Sequence, residues 1–202
     1  MYVKICGLQT PETVAAAVEA GADAVGFVFA PGSPRTITAE LAATLGREVP
    51  QGVETVGVFR NQPIDEVVRT ARLASVTTVQ LHGDESLADM ARVRDEGFRT
   101  LRAFSATAYN ALKASEKLSW DSERILLDAV EPGAGVAFDA GVLDGGSPHG
   151  FWLLAGGLTP GNVTQLIAEL HPLGVDVSSG VESSRGVKDI KLIQDFVRAV
   201  KQ

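Results

Sequence analysis

The 202-residue chain is poor in several things at once: it has one cysteine, three histidines and fewer basic than acidic residues. The single cysteine, Cys6, excludes an internal disulfide and a cysteine-rich metal site. The three histidines (82, 149 and 171) make no metal-ligand spacing with one another, so metal-free chemistry is expected. Long hydrophobic runs are missing too. The longest, such as Ala24-Val25-Gly26-Phe27-Val28-Phe29-Ala30, fall well short of the roughly 20 residues a membrane span needs. Tyr2-Val3-Lys4-Ile5-Cys6 already reads as a strand, leaving no room for a signal peptide, and the cytoplasm is the expected location. With 18 Lys+Arg against 25 Asp+Glu, the net charge of −7 argues against nucleic acid or an anionic membrane surface as partner. A small anionic ligand remains admissible, because a helix N-terminus or a few main-chain amides can hold phosphate locally.

What is present is the profile of an ordinary globular protein, 45% hydrophobic and 21% charged. The length suits one domain spanning residues 1–202. Short apolar runs alternate with longer amphipathic ones. Strands are expected at Val3–Cys6, Ala24–Phe29, Thr55–Phe59, Thr78–Leu81, Arg99–Ala103, Arg124–Asp128, Phe151–Ala155 and Val175–Val177. Helices are expected at Pro11–Ala20, Ala39–Arg47, Pro63–Ala74, Leu87–Glu96, Pro160–Leu170 and Lys188–Lys201. The strands are apolar on both faces, as buried parallel strands are. The βα spacing of about 20–30 residues repeats throughout. An open doubly wound sheet competes, but its dinucleotide form needs a Gly-x-Gly-x-x-Gly turn after the first strand, and Cys6-Gly7-Leu8-Gln9 is not one. The pattern favours a closed (β/α)8 TIM barrel. The Gly/Pro-rich stretches Ala30–Pro34, Glu131–Gly135 and Gly145–Gly150 then become loops.

In such a barrel the strand C-termini converge on one mouth. Cys6 ends strand 1, Asp128 ends strand 6 and Asp176 lies on strand 8. A thiolate can remove a carbon-bound proton and a protonated carboxyl can donate to a leaving oxygen. Both roles need shifted pKa values, Cys6 lowered toward neutrality and Asp128 raised. The bland alternatives are a buried small hydrophobe for Cys6 and a solvated loop cap for Asp128. Two glycine- and serine-bearing loops, Gly156-Gly157 after strand 7 and Ser178-Ser179-Gly180 after strand 8, suit a phosphate cradle. Arg35, in the loop after strand 2, can fork onto a carboxylate. Gln80 and His82 share one strand face, and both point into the mouth if Leu81 faces the helices. Lys4 shares the inward face of Cys6. A lysine there needs a partner, and Asp176 on neighbouring strand 8 is the expected one.

With these residues in view, the chain resembles the phosphoribosylanthranilate isomerase family of tryptophan biosynthesis. The resemblance runs from Val3 to near the C-terminus through ordered blocks: Lys4-Ile5-Cys6-Gly7, residues 21–29, Ser33-Pro34-Arg35, Val56-Gly57-Val58-Phe59 and Val79-Gln80-Leu81-His82-Gly83. Further blocks are Leu126-Leu127-Asp128, Gly135-Val136-Ala137-Phe138-Asp139, Ala155-Gly156-Gly157-Leu158 and residues 175–182. The resemblance implies a cofactor-free Amadori rearrangement of N-(5-phosphoribosyl)anthranilate, a small phosphoribosyl substrate. By the same resemblance Cys6 is the general base, Asp128 the general acid and Arg35 the contact for the anthranilate carboxylate. Gln80, His82 and Asp176, placed at the mouth by their strand positions, are expected as substrate contacts, and the resemblance makes Gly156, Gly157, Ser178, Ser179 and Gly180 the phosphate cradle. The chain departs from the common family pattern at Ala140, where tryptophan is frequent, in the loop 132–136, and at Arg185, where proline is frequent.

Three rivals are weighed. A histidine-pathway or dual-substrate isomerase needs paired aspartates and a second phosphate loop, whereas residues 60–62 and 82–84 offer no Gly/Ser cradle. An indole-glycerol phosphate synthase needs a lysine acid at a strand end, and none is apparent after Lys4. A barrel that binds phosphate ligands without turnover is the non-enzymatic alternative. Monomer and dimer are not distinguished by the sequence.

Overall fold

The computed structural model describes residues 1–128, 143 and 146–201. Eight parallel strands close into a barrel in sequence order: β1 (Tyr2–Cys6), β2 (Ala24–Val28), β3 (Glu54–Phe59), β4 (Thr78–Leu81), β5 (Arg99–Ser105), β6 (Ile125–Asp128), β7 (Trp152–Ala155) and β8 (Gly174–Val177). β1 pairs with β8, with Lys4 opposite Asp176, and this closes the ring. Around it pack α1 (Pro11–Ala20), α2 (Ala39–Gly46), α3 (Ile64–Leu73), α4 (Leu87–Asp95), α5 (Ala106–Ala111), α6 (Ala114–Trp120), α7 (Val163–Leu170) and α8 (Ile190–Lys201). The expected barrel is the one observed. The loop anticipated at Glu131–Gly135, the family block at residues 135–139, Ala140, and Gly145 of the loop 145–150 lie outside the described residues.

Strand alternation sorts the side chains into two cores. Outward residues such as Val3, Ile5, Val25, Phe27, Phe59, Leu81 and Val175 meet the helices in one large apolar cluster. Leu101, Ala103, Leu126, Leu153 and Ala155 fill the barrel interior. Helix ends follow local chemistry. The Thr10 hydroxyl accepts from the Thr13 amide, Pro11 occupies the first turn, and Gly21 at φ 96° ends α1. Ser86 and Asp89 form a reciprocal capping box at the start of α4.

Two helices start two or three residues later than expected. Pro160 does not open α7, because the Asn162 carboxamide accepts from Thr159 N at 2.7 Å and donates to Gly157 O at 2.9 Å, closing a turn first. Lys188 does not open α8 either: it belongs to a small hairpin of β9 (Glu182–Ser184) and β10 (Val187–Lys188), and Asp189 caps the helix instead. α5 and α6 were not anticipated. Among the described residues no helix is long and apolar enough to cross a membrane.

At the foot of the barrel, Glu54 is buried and accepts from Tyr2 Oη (2.9 Å), Thr78 Oγ1 (3.2 Å), Arg99 Nη1 (2.7 Å) and Arg124 Nη1 (3.1 Å). Arg124 also lies over the rings of Tyr2 and Phe151. Burial and the Glu54 carboxylate together push the Tyr2 phenol well above its ordinary range.

Candidate active site

Because Val3 and Ile5 face the helices, Lys4 and Cys6 face inward. Gly26 is register partner to Cys6 on β2. A Cβ at Gly26 would lie 3.0 Å from Cys6 Sγ and 3.2 Å from Lys4 Nζ, so the missing side chain makes the space those two groups occupy. Lys4 is fully buried and its ammonium meets Asp176 Oδ1 at 2.8 Å, the pairing expected from the sequence. Burial works against that ammonium, but the Asp176 carboxylate overrides it and holds Lys4 above its ordinary value.

Cys6 is 7% exposed. Its pKa is displaced opposite to expectation. Burial pushes the thiol up, and the Lys4 ammonium, which favours the thiolate, offsets only part of that.

Across the mouth, Gln80 Nε2 and His82 Nδ1 are 2.9 Å apart, and His82 Nε2 stands 3.7 Å from Asp128 Oδ2. Leu81 does face the helices, so both neighbours point inward as anticipated. Arg102 supports this turn from below. Its buried guanidinium donates to the carbonyls of Leu81 (3.1 Å), Gly83 (2.8 Å), Glu85 (3.0 Å) and Ala103, and stacks 4.2 Å from the Phe104 ring.

The loops after β7 and β8 interlock. Gly156 and Gly157 adopt φ 88° and 63°, backbone that only glycine enters readily. A Cβ at Gly180 would fall 1.7 Å from the Leu158 carbonyl oxygen, so the second loop can pass over the first only without a side chain there. Ser179–Val181 forms a single 3₁₀ turn, which leads into β9.

One cavity of about 720 Å³ joins these parts. It is lined by Cys6, Arg35, Gln80, His82, Asp128 and Asp176, and by the loop residues Gly156, Gly157, Ser178, Ser179 and Gly180. All eleven residues expected from the sequence to act on or bind a ligand thus border the same space. A second recess of about 530 Å³ adjoins it through His82 and Asp128, walled by Arg60, Asn61, Asp84, Glu85, Phe104 and Trp120 among others. Among the described residues no group of three His, Cys, Asp or Glu side chains could hold a metal ion.

The family model for N-(5'-phosphoribosyl)anthranilate isomerase matches residues 3–199. The chain belongs to the phosphoribosylanthranilate isomerase family. It is 44% identical to the N-(5'-phosphoribosyl)anthranilate isomerase of Citrifermentans bemidjiense, over 99% of this chain and 97% of that protein. The crystal structure of TrpF from Jonesia denitrificans superposes with a TM-score of 0.87 at 43% identity, covering 100% of this chain and 97% of that one. A phosphoribosyl anthranilate isomerase solved in complex with reduced 1-(o-carboxyphenylamino)-1-deoxyribulose 5-phosphate superposes with a TM-score of 0.83 at 34% identity, covering 100% and 98%. As a phosphoribosylanthranilate isomerase family member the protein is an isomerase, and its family serves tryptophan biosynthesis.

Within this isomerase barrel, Arg35 is not a lone surface cation. Its Nε and Nη2 fork onto the Glu182 carboxylate at 2.6 and 2.9 Å, and the side chain is 20% exposed. Lys188, whose side chain is 1% exposed, donates to Glu182 Oε1 (2.8 Å), Ser178 O (2.7 Å) and Ser178 Oγ (3.2 Å). Sequence reasoning missed both Glu182 and Lys188. Glu182 stood inside a block read only for its serines and glycine. The one available signal was a lysine flanked by Gly186-Val187 and Asp189 just where an amphipathic helix was expected to begin.

Proposed function

We propose that the protein converts N-(5-phosphoribosyl)anthranilate to 1-(2-carboxyphenylamino)-1-deoxyribulose 5-phosphate by a cofactor-free Amadori rearrangement. Asp128 donates a proton to the furanose ring oxygen as the C1′–O bond breaks, and the anthranilate nitrogen supplies the electron pair that forms the iminium. The Cys6 thiolate then takes the C2′ proton, its electrons flow back to nitrogen, and the resulting enolamine tautomerises to the ketone. The main-chain amides of Gly156, Gly157 and Gly180 with the Ser178 and Ser179 hydroxyls hold the phosphate. Arg35 takes the anthranilate carboxylate, and Gln80, His82 and Asp176 line the sugar.

The observation that carries this reading is that the thiol of β1, the carboxyl of β6 and both glycine-bearing loops border one cavity. Burial raises the Cys6 pKa and the facing Lys4 ammonium opposes this; the cation that ring opening creates at C1′–N adds to the ammonium, and the thiol proton leaves through the open cavity to solvent, giving the thiolate that takes the C2′ proton. A solved relative holding a reduced form of the same ketone phosphate supports the substrate assignment.

The test is the fluorescence decay of freshly made phosphoribosylanthranilate with purified protein. Cys6→Ser should lose at least a thousandfold in kcat while still binding the reduced ketone phosphate within a few-fold of wild type. Unchanged turnover in that variant would remove Cys6 from the mechanism.

A further inference from the structure

The Arg35 guanidinium has two hydrogen-bonding edges, and one is already taken. Glu182 Oε1 accepts from Arg35 Nε at 2.6 Å and from Lys188 Nζ at 2.8 Å, while Oε2 accepts from Arg35 Nη2 at 2.9 Å and from the Gly186 amide at 2.9 Å. All of this happens on a carboxylate side chain that is 4% exposed. Both Nη1 hydrogens and one on Nη2 have no partner among the described residues, and Arg35 lines the cavity. Gly7 lets the arginine lie there: at φ 76° it has no Cβ, and one would sit 2.6 Å from Arg35 Cδ. On its other side the same glutamate is tied through Lys188 to the backbone and hydroxyl of Ser178 in the loop after β8.

We propose that Glu182 is a positioning residue for recognition of the substrate's aromatic carboxylate. By holding the Nε edge of Arg35 it turns the Nη1–Nη2 edge, the one suited to a second bidentate carboxylate, toward the ligand. Lys188 completes the arrangement in two ways. Its charge joins that of Arg35, so two cations outweigh one anion and the glutamate does not repel the ligand. Its bonds to Ser178 also fix the carboxylate clamp on the β2 loop at a set distance from the loop after β8. The inference rests on the substrate reading above, and it concerns residues that touch Arg35 rather than substrate.

Steady-state kinetics on Glu182→Gln, Arg35→Met and the double variant test it, with circular dichroism to confirm folding. Glu182→Gln should raise KM for phosphoribosylanthranilate at least tenfold and leave kcat within about threefold. Inhibition by inorganic phosphate should stay within twofold of wild type, since that ion has no carboxylate. In the Arg35→Met background, Glu182→Gln should add less than a twofold change, because its effect passes through the arginine. An unchanged KM in Glu182→Gln, or an equal loss with and without Arg35, would overturn the inference while wild-type turnover leaves the substrate reading intact. Absence of turnover by wild type would overturn the substrate reading and this inference together. Should Glu182→Gln fail to fold, Glu182→Asp gives the same readout with the charge kept and the reach shortened: KM must rise with kcat preserved, and wild-type kinetics in that variant would count against the proposal.

Discussion

The thiol at the end of β1 carries a measurable signature of its surroundings. Burial raises the Cys6 pKa and the Lys4 ammonium only partly opposes this. The thiolate fraction of the free protein should therefore climb about tenfold per pH unit through the neutral range and keep climbing past the value where an ordinary cysteine levels off, near 8.5. Iodoacetamide alkylation followed by mass spectrometry reads this directly, and a rate that levels off below pH 8 would contradict it. Glu182 shows the opposite displacement. Its burial opposes the charge, but Arg35, Lys188 and the Gly186 amide win and hold the carboxyl at about 2, below the ordinary 4.5. A depressed carboxyl stabilises the folded state fully above its unfolded pKa and loses that contribution as pH falls from about 4.5 toward 2. Glu182→Gln should accordingly flatten the acid limb of a stability-against-pH curve, measured by urea unfolding between pH 2 and 5. At this scale the sequence was most informative for residues whose chemistry depends on strand parity: Lys4, Cys6, Gln80 and His82 all face as their spacing of two required. It was least informative for Glu182 and Lys188, whose contacts arise only once the β9–β10 hairpin forms.

Among the elements, strands were legible because a run apolar on both faces has few alternatives, and their ends fell within a residue or two of expectation. α1 was legible to the residue, since Thr10-Pro11 and Gly21 mark both ends chemically. α5 and α6 were not, because ATAYNA and ASEKLSW are each under two turns long and carry no apolar stripe. Their buried residues, Tyr109 and Trp120, instead meet Phe104 edge-on. α7 misled through Pro160, a good opening residue overruled by the carboxamide of Asn162 two positions on. That carboxamide braces the loop bearing Gly157. Asn162→Ala should lower stability by about 1–2 kcal/mol, the cost of stranding the Thr159 amide and Gly157 carbonyl, and should weaken inhibition by inorganic phosphate several-fold. Urea unfolding and a competitive-inhibition series check the two halves separately, and an unaltered inhibition constant would detach this loop from phosphate binding.

For the molecule as a whole, the barrel separates a large polar cluster from the proposed chemistry. Glu54, with Tyr2, Thr78, Arg99 and Arg124 around it, gathers at the strand starts, while Cys6 and Asp128 lie at the strand ends. Nothing in the sequence linked those five residues, spread from position 2 to 124, because closure of the ring alone brings them together. Glu54→Ala leaves Arg124 and the Tyr2 hydroxyl without their acceptor and should cost about 3 kcal/mol. Turnover under conditions where the variant is folded should be unchanged. Urea unfolding alongside kcat checks both, and a variant that melts normally but turns over slowly would reverse this division.

The crossing of Gly180 over the Leu158 carbonyl has a thermodynamic consequence. If these closely packed loops form the proposed phosphate cradle, they meet the ligand already arranged, and little conformational freedom is left for it to remove. Calorimetry of inorganic phosphate should then show a small entropic penalty in the natural protein. In Gly180→Ala, where the added methyl must pry the loops apart, the same titration should show a larger penalty and weaker affinity.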